Sequence, residues 1–312
     1  MKFKLSVLSL VFFALNAHAS APLRPAAEQQ EARAIFKEMI EMKSGYTTGT
    51  TTPLVEAAVK RLLAAGFTSA DIFVGGASPA KVNLVVRFRG TGQQKPILLL
   101  AHTDVVEAKR DDWSMDPYQF VEKDGYFYGR GTTDDKVQAA VWLANLIAMK
   151  KAGYTPNRDI ILALTADEEG GGPYNGVDWL LKNHKELIDA EFALNEGGWS
   201  EMAHGKKLGN DVQVSEKYVV NYRLEVRNKG GHSSIPVADN AIYRLANALQ
   251  RLSRFNFPLQ VNPVTKAYFA ALAQQEKGQL QTELQGAAAG LKADMKAIAT
   301  ISPTWNATLR TT

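Results

Sequence analysis

Four short polar clusters follow apolar or glycine-rich stretches in this chain. Leu98-Leu-Leu-Ala101 runs into His102-Thr-Asp104, and Ile160 to Ala166 runs into Asp167-Glu168-Glu169-Gly170. Ala190 to Leu194 runs into Asn195-Glu196-Gly197-Gly198, and Gly129-Arg-Gly-Thr-Thr-Asp134-Asp135 precedes a helical stretch opening at Lys136. One imidazole among several carboxylates suits zinc or a similar divalent ion. The chain has no cysteine and only five histidines, so a thiolate site and a catalytic thiol are excluded. An adjacent Glu pair can divide its work, one carboxylate binding the ion and the other free as general base toward water. In His-x-Asp, the Asp can accept the second imidazole N–H and fix the ligating tautomer. Each cluster alone is commonly a turn or a solvated helix start; their joint placement at successive strand ends makes the chemical reading.

The elements that must position these residues follow from periodicity. Residues 28–43 and 53–66 read as amphipathic helices, the second stopped by Gly66. Val82 to Phe88 and Pro96 to Ala101 read as strands separated by a turn at Gly90-Thr-Gly92. Lys136 to Lys151 reads as a helix closed by Gly153, Asp159 to Ala166 as a strand, Val177 to Leu187 as a helix and Ala190 to Leu194 as a strand. Strands alternating with helices predict an α/β fold, a mainly parallel sheet with helices on both faces. In such sheets ligands bind beyond the carboxyl ends of the strands, so His102, Asp104, Glu168, Glu169 and Glu196 should converge. The pattern changes near residue 212. Lys217 to Asn228 alternates as a half-exposed strand does, Asn240 to Arg254 is an amphipathic helix, 266–299 reads as helix and Trp305 to Thr311 as a strand. These make a smaller α+β domain over 212–312, behind a catalytic domain over 20–211.

Composition excludes several classes. The chain has 312 residues, is 46% hydrophobic and 22% charged, and is thus globular rather than disordered or fibrous. A net charge of +4 is too small to argue for nucleic acid. Lys2, Lys4, the apolar run Leu5 to Leu15 and Ala17-His18-Ala19 form an export signal over residues 1–19, cleaved after Ala19. That predicts a secreted or periplasmic protein with no membrane association once the signal is removed. No Gly-x-Ser-x-Gly elbow or P-loop is present, and Gly129-x-Gly131 lacks the third glycine of a dinucleotide site.

The motifs together resemble the zinc-dependent aminoacylase/carboxypeptidase family, which includes acetylornithine deacetylase, glutamate carboxypeptidase and carboxypeptidase S types. The resemblance rests on Leu99-Leu-Ala-His-Thr-Asp-Val-Val106, Trp113-Ser-Met-Asp-Pro117, Tyr128-Gly-Arg-Gly-Thr-Thr-Asp-Asp-Lys136, Asp167-Glu-Glu-Gly-Gly171, Asn195-Glu-Gly-Gly198 and Gly230-Gly-His-Ser-Ser-Ile-Pro236. It implies two zinc ions per subunit. His102 and Glu196 would ligate one, Asp134 would bridge both, and Glu169 would ligate the second. Glu168 would be the general base, Asp104 the partner orienting His102, and Asp134–Asp135 the candidate cis peptide. It implies a ferredoxin-like dimerisation domain whose His232 reaches the partner subunit's site and helps bind the substrate carbonyl in a homodimer. His184 and His204 match no motif and read as solvated. The substrates implied are small peptides or N-acyl amino acids. Family members continue beyond a second domain of this kind and supply a further ligating His; this chain ends at Thr312, so a fragment or truncated product holding one zinc is expected. Cobalt or manganese would suit the same donors. The rival expectation is a non-catalytic remnant that binds one metal or dimerises.

Overall fold

The computed structural model describes residues 24–310, apart from Tyr218. The expected signal over residues 1–19 lies outside them. The chain divides into two compact units, one ending at Gly198 and one beginning at Trp199. The division precedes the 199–211 hairpin, whereas the composition change falls after it, near residue 212.

The first unit opens with α1 (Ala26–Glu41) and α2 (Thr52–Ala64). In α1, Ile35, Phe36, Met39 and Ile40 recur at helical spacing and are buried. Pro53 starts α2, and Gly66, at φ +96°, ends it. Strands β1 (Ile72–Ser78), β2 (Lys81–Phe88) and β3 (Gln94–His102) follow, then a small hairpin of β4 (Val121–Lys123) and β5 (Tyr126–Tyr128). Next come α3 (Lys136–Lys151), β6 (Arg158–Thr165), α4 (Gly176–Asn183), α5 (Lys185–Ile188) and β7 (Phe192–Leu194).

The central sheet runs β1-β2-β6-β3-β7. Its site-bearing part is parallel, β6 with β3 and β3 with β7, while β1 and β2 add an antiparallel edge. Both faces are covered, as the apolar runs predict. On β2, Leu84, Val86 and Phe88 join the core with α1, α2 and α3, and Val85 points to the opposite core with Leu180 and Ile188. On β6, Leu162 and Leu164 face the first core and Ile161 and Ala163 the second. The alternation of strand side chains produces this division.

Two details depart from the sequence reading. β1 is an additional strand, hidden in the sequence by Gly75 and Gly76. The helix expected over 177–187 breaks at His184, which is not simply solvated: its ring packs 4.7 Å from the Phe73 ring and 5.1 Å from the Trp179 ring.

The second unit begins with the hairpin β8 (Trp199–Ala203) and β9 (Lys206–Asp211), turned by His204 and Gly205 at φ +51° and +74°. Two left-handed residues match the right-handed strand twist, which explains where His204 sits. Then come α6 (Ala241–Leu252), α7 (Pro263–Gln275), α8 (Gly278–Ala288), α9 (Lys292–Ile301) and α10 (Pro303–Leu309). Phe269, Leu284, Ala287, Met295, Ile298 and Leu309 form its core. The helical run expected over 266–299 is three helices, parted at Glu276–Lys277 and at Gly290, φ +84°.

The strand expected at Trp305 is instead α10. Ser302 caps it by accepting the Trp305 N–H at 3.2 Å, and Pro303 occupies its first turn. The strand expected over 217–228 is also not formed. No described strand lies alongside to complete a ladder, and Val219 and Tyr222 stay exposed. Among the described residues this unit therefore holds one hairpin and a helical cluster, not the β-α-β-β-α-β order of a ferredoxin-like domain.

Candidate metal centre

Register puts the site together. His102 pairs with Thr165, so β3 and β6 end level, and β7 meets β3 at Leu99↔Leu194. The residues immediately beyond these ends share one rim of the sheet. His102 is the last residue of β3 and 2% exposed. Its Nε2 lies 2.9 Å from Asp134 Oδ1 and 3.6 Å from Glu196 Oε2. One ligand atom from each of these three residues lies within 4.8 Å of the others. Asp134 comes from the loop before α3, where the Asp134–Asp135 peptide is cis. Glu196 comes from the turn after β7.

The imidazole is oriented from behind. Its Nδ1 lies 3.0 Å from the Asp104 backbone oxygen, which accepts the proton and leaves Nε2 facing the carboxylates. The Asp104 carboxylate, 3.6 Å from Nδ1, does different work. Its oxygens accept the backbone N–H groups of Glu168 and Glu169, each at 3.1 Å. Asp135 is buried; its carboxylate accepts the His102 N–H at 3.4 Å and a Gln138 amide N–H at 3.5 Å. Lys136, fully buried at the start of α3, donates to Met39 O and Met42 O at the end of α1, both at 2.8 Å. The Ser44 and Thr103 hydroxyls donate to Thr103 O and Thr165 O and fix the backbone beside His102.

The electrostatics show a centre with too much negative charge. Burial alone would lower His102, but the nearby Asp104 and Glu196 carboxylates push it up to about 12. Burial raises Asp135 to about 7, against the pull of His102 and with the push of Glu196. Glu168 and Glu169 are both raised, first by burial and then by neighbouring carboxylates, with His102 opposing. Nε2 thus faces the point where several carboxylates converge. The donor set fits a divalent cation: one imidazole nitrogen with its other nitrogen committed, and two carboxylates, the number of protein ligands usual for a catalytic zinc.

The sequence-predicted residues are distributed as follows. His102, Asp134 and Glu196 come together as one possible ligand group. Glu168 and Glu169 stand in the turn after β6, within electrostatic reach of that group but outside it. His232 belongs to the second unit, on an exposed turn where its Nδ1 meets the Ser234 hydroxyl at 2.7 Å. Sequence reasoning missed Lys81, Asn83 and Gln138, and did not assign Asp135 or Lys136. Lysine and asparagine inside the apolar strand β2 were the available signal.

Residues 98–301 match the family described as Peptidase family M20/M25/M40. The chain belongs to peptidase family M20. Among curated M20 relatives, the human (Homo sapiens) N-fatty-acyl-amino acid synthase/hydrolase PM20D1 is 36% identical over 171 residues, 53% of this chain and 33% of that protein. The probable carboxypeptidase S-like 2 of Dictyostelium discoideum is 35% identical over 187 residues, 55% of this chain and 35% of that protein. The chain spans about a third of the length of these relatives. Among solved structures, the M20 family metallo-carboxypeptidase Sso-CP2 from Sulfolobus solfataricus superposes with a TM-score of 0.44 at 20% identity, covering 54% of this chain and 37% of that one.

Proposed function

We propose that this M20 chain is an exported, zinc-dependent hydrolase of peptide or N-acyl amino-acid bonds, carboxypeptidase-like in its preference. The observation that carries the reading is the convergence of His102 Nε2, Asp134 and Glu196 beyond the strand ends, with Glu168 alongside. The M20 relatives, an N-fatty-acyl-amino acid synthase/hydrolase and a probable carboxypeptidase S-like protein, support the substrate class.

His102, Asp134 and Glu196 would hold one zinc ion, and Asp134 and Glu169 would offer ligands to a second. A divalent cation supplies positive charge that polarises the scissile carbonyl and acidifies water. Glu168 takes the water proton as the nucleophile attacks and passes it to the leaving amine. Its carboxyl, raised by burial, is a better base than a solvated glutamate. Asp104 orients His102 through its carbonyl and the Glu pair through its carboxylate. The partner subunit's His232 stabilises the substrate carbonyl in a homodimer. Residues 1–19 direct the protein to the periplasm or outside, and N-terminal sequencing of exported material should begin at Ser20.

A panel of dipeptides and N-acyl amino acids, with metal analysis, tests the reading. Hydrolysis is expected to vanish with chelator and return with zinc. Glu168→Gln should keep the metal and lose about 10²–10⁴-fold in turnover, the usual contribution of a general base. Near-normal turnover in that variant would remove the assignment. A second reading is favoured by the unequal ligand supply, since among the described residues only Asp134 and Glu169 would be left to serve the second ion. One bound ion with no hydrolysis of any panel member is its signature.

A further inference from the structure

Strand β2 carries Lys81 and Asn83 in an otherwise largely apolar stretch, and neither belongs to a motif of the metal centre. Both are buried, Lys81 at 7% exposure and Asn83 at 0%. The Lys81 ammonium lies 3.2 Å from Asp167 Oδ1 and donates to Tyr46 O at 2.7 Å. Asp167 immediately precedes Glu168. Its φ is +61°, in the left-handed region that is unfavourable for a residue with a side chain. Such a conformation persists only where the surroundings over-determine it.

The surroundings here do so on each side. Before Asp167, the Ala166 N–H donates to Asn83 Oδ1 at 3.0 Å, and Ala166 O accepts the Gly176 N–H at 2.7 Å. After it, the Glu168 and Glu169 amides donate to Asp104. At Asp167 itself the carboxylate is turned inward onto Lys81, and a Cβ added at Gly170 would lie 2.9 Å from it. The Glu168 and Glu169 side chains, by contrast, take no hydrogen bond among the described residues, so only their backbone positions them.

We propose that Lys81 is a positioning residue for hydrolysis: through its buried ion pair with Asp167 it fixes the backbone turn that presents Glu168. This rests on Glu168 being the general base. In the left-handed conformer the Asp167 carboxylate reaches the β2 lysine while both following amides reach Asp104. A loosened turn leaves the metal ligands in place and misplaces the base.

The test compares the metal-loaded wild-type protein with Lys81→Met, with Lys81→Met/Asp167→Asn, and with Glu168→Gln as reference. Two readouts are taken: steady-state kinetics with metal content, and amide hydrogen exchange at Glu168 and Glu169 in the metal-free protein. Lys81→Met is expected to lower kcat by about 10-fold to 10²-fold, the scale of a misplaced catalytic group, with KM and metal content held within about twofold. Exchange at Glu168 and Glu169 should rise about tenfold while Leu162 and Leu164 in β6 keep theirs, a local change that general destabilisation does not produce. Either readout unchanged overturns the proposal. If Lys81→Met fails to fold, because it strands a buried carboxylate, the double variant removes both charges, keeps a residue type that tolerates φ > 0, and is judged by the same two readouts. If Glu168→Gln keeps full turnover, the base assignment fails on its own, and exchange alone decides whether Lys81 holds the turn.

Discussion

Asp104 serves the metal centre with three atoms. Its carbonyl takes the His102 Nδ1 proton, and its two carboxylate oxygens receive the Glu168 and Glu169 amides. Asp104→Asn should therefore do more than disturb the imidazole. The new NH2 group would face a backbone N–H, leaving one buried donor unpaired, at a cost of about 1–3 kcal/mol. A lower urea midpoint with unchanged m-value would show it; an unchanged midpoint would mean that the two amide bonds contribute nothing. At this scale much of the centre was legible. His102, Asp104, Glu168, Glu169 and Glu196 each follow an apolar run, and a parallel strand ends where the ligand site begins. Lys81 and Asn83 were not legible, because a polar residue in a strand ordinarily reads as the solvent face of the alternation. In β2 both faces are covered, so the same residues point into protein. His232 was named by its motif; among the described residues its side-chain hydrogen bonds stay within its own turn.

Elements were legible where periodicity and a terminator agreed. α3 spans Lys136–Lys151 as read, and β2, β3 and β6 fall within a residue or two of their expected ends. β1 and the β8–β9 hairpin escaped because glycines and charged residues interrupt their alternation. Trp305 to Thr311 misled because a cap, Ser302, and a first-turn proline, Pro303, outweigh β-branched content. Gly176, the first residue of α4, shows how one element constrains another. A Cβ there would meet Asn83 Oδ1 at 2.0 Å and Ala166 N at 2.8 Å, pushing the carboxamide off the Ala166 amide. Gly176→Ala should destabilise by about 1–3 kcal/mol, as overpacking does. Gly172→Ala, whose nearest new contact is 3.8 Å away, should stay within about 0.5 kcal/mol. Equal denaturation midpoints for the two variants would contradict this account of the α4 start.

At the scale of the whole molecule, ligand supply and apolar surface set the expectations. His102, Asp134 and Glu196 could give one ion three protein ligands, so elemental analysis of the dialysed 312-residue chain should find one tightly held metal. Two would require a ligand that the described residues do not bring to Glu169. The second unit leaves Ile242, Tyr243, Leu249 and Leu252 of α6 exposed. Such a face supports the homodimer, and sedimentation should give about twice the chain mass of 34.2 kDa. A purely monomeric profile would remove the dimer and with it the role given to His232. Lys136 ties α3 to the end of α1. Its ammonium sits beside Asp135 in sequence, yet both of its hydrogen bonds end on carbonyls of Met39 and Met42. If α1 peels from the fold, that cation loses its acceptors inside an apolar interior, and the loop bearing Asp134 loses its anchor. Release of the first helix and release of a bound ion are thus expected to be coupled. By linkage, added zinc should slow hydrogen exchange along α1, a helix that contributes no ligand at all.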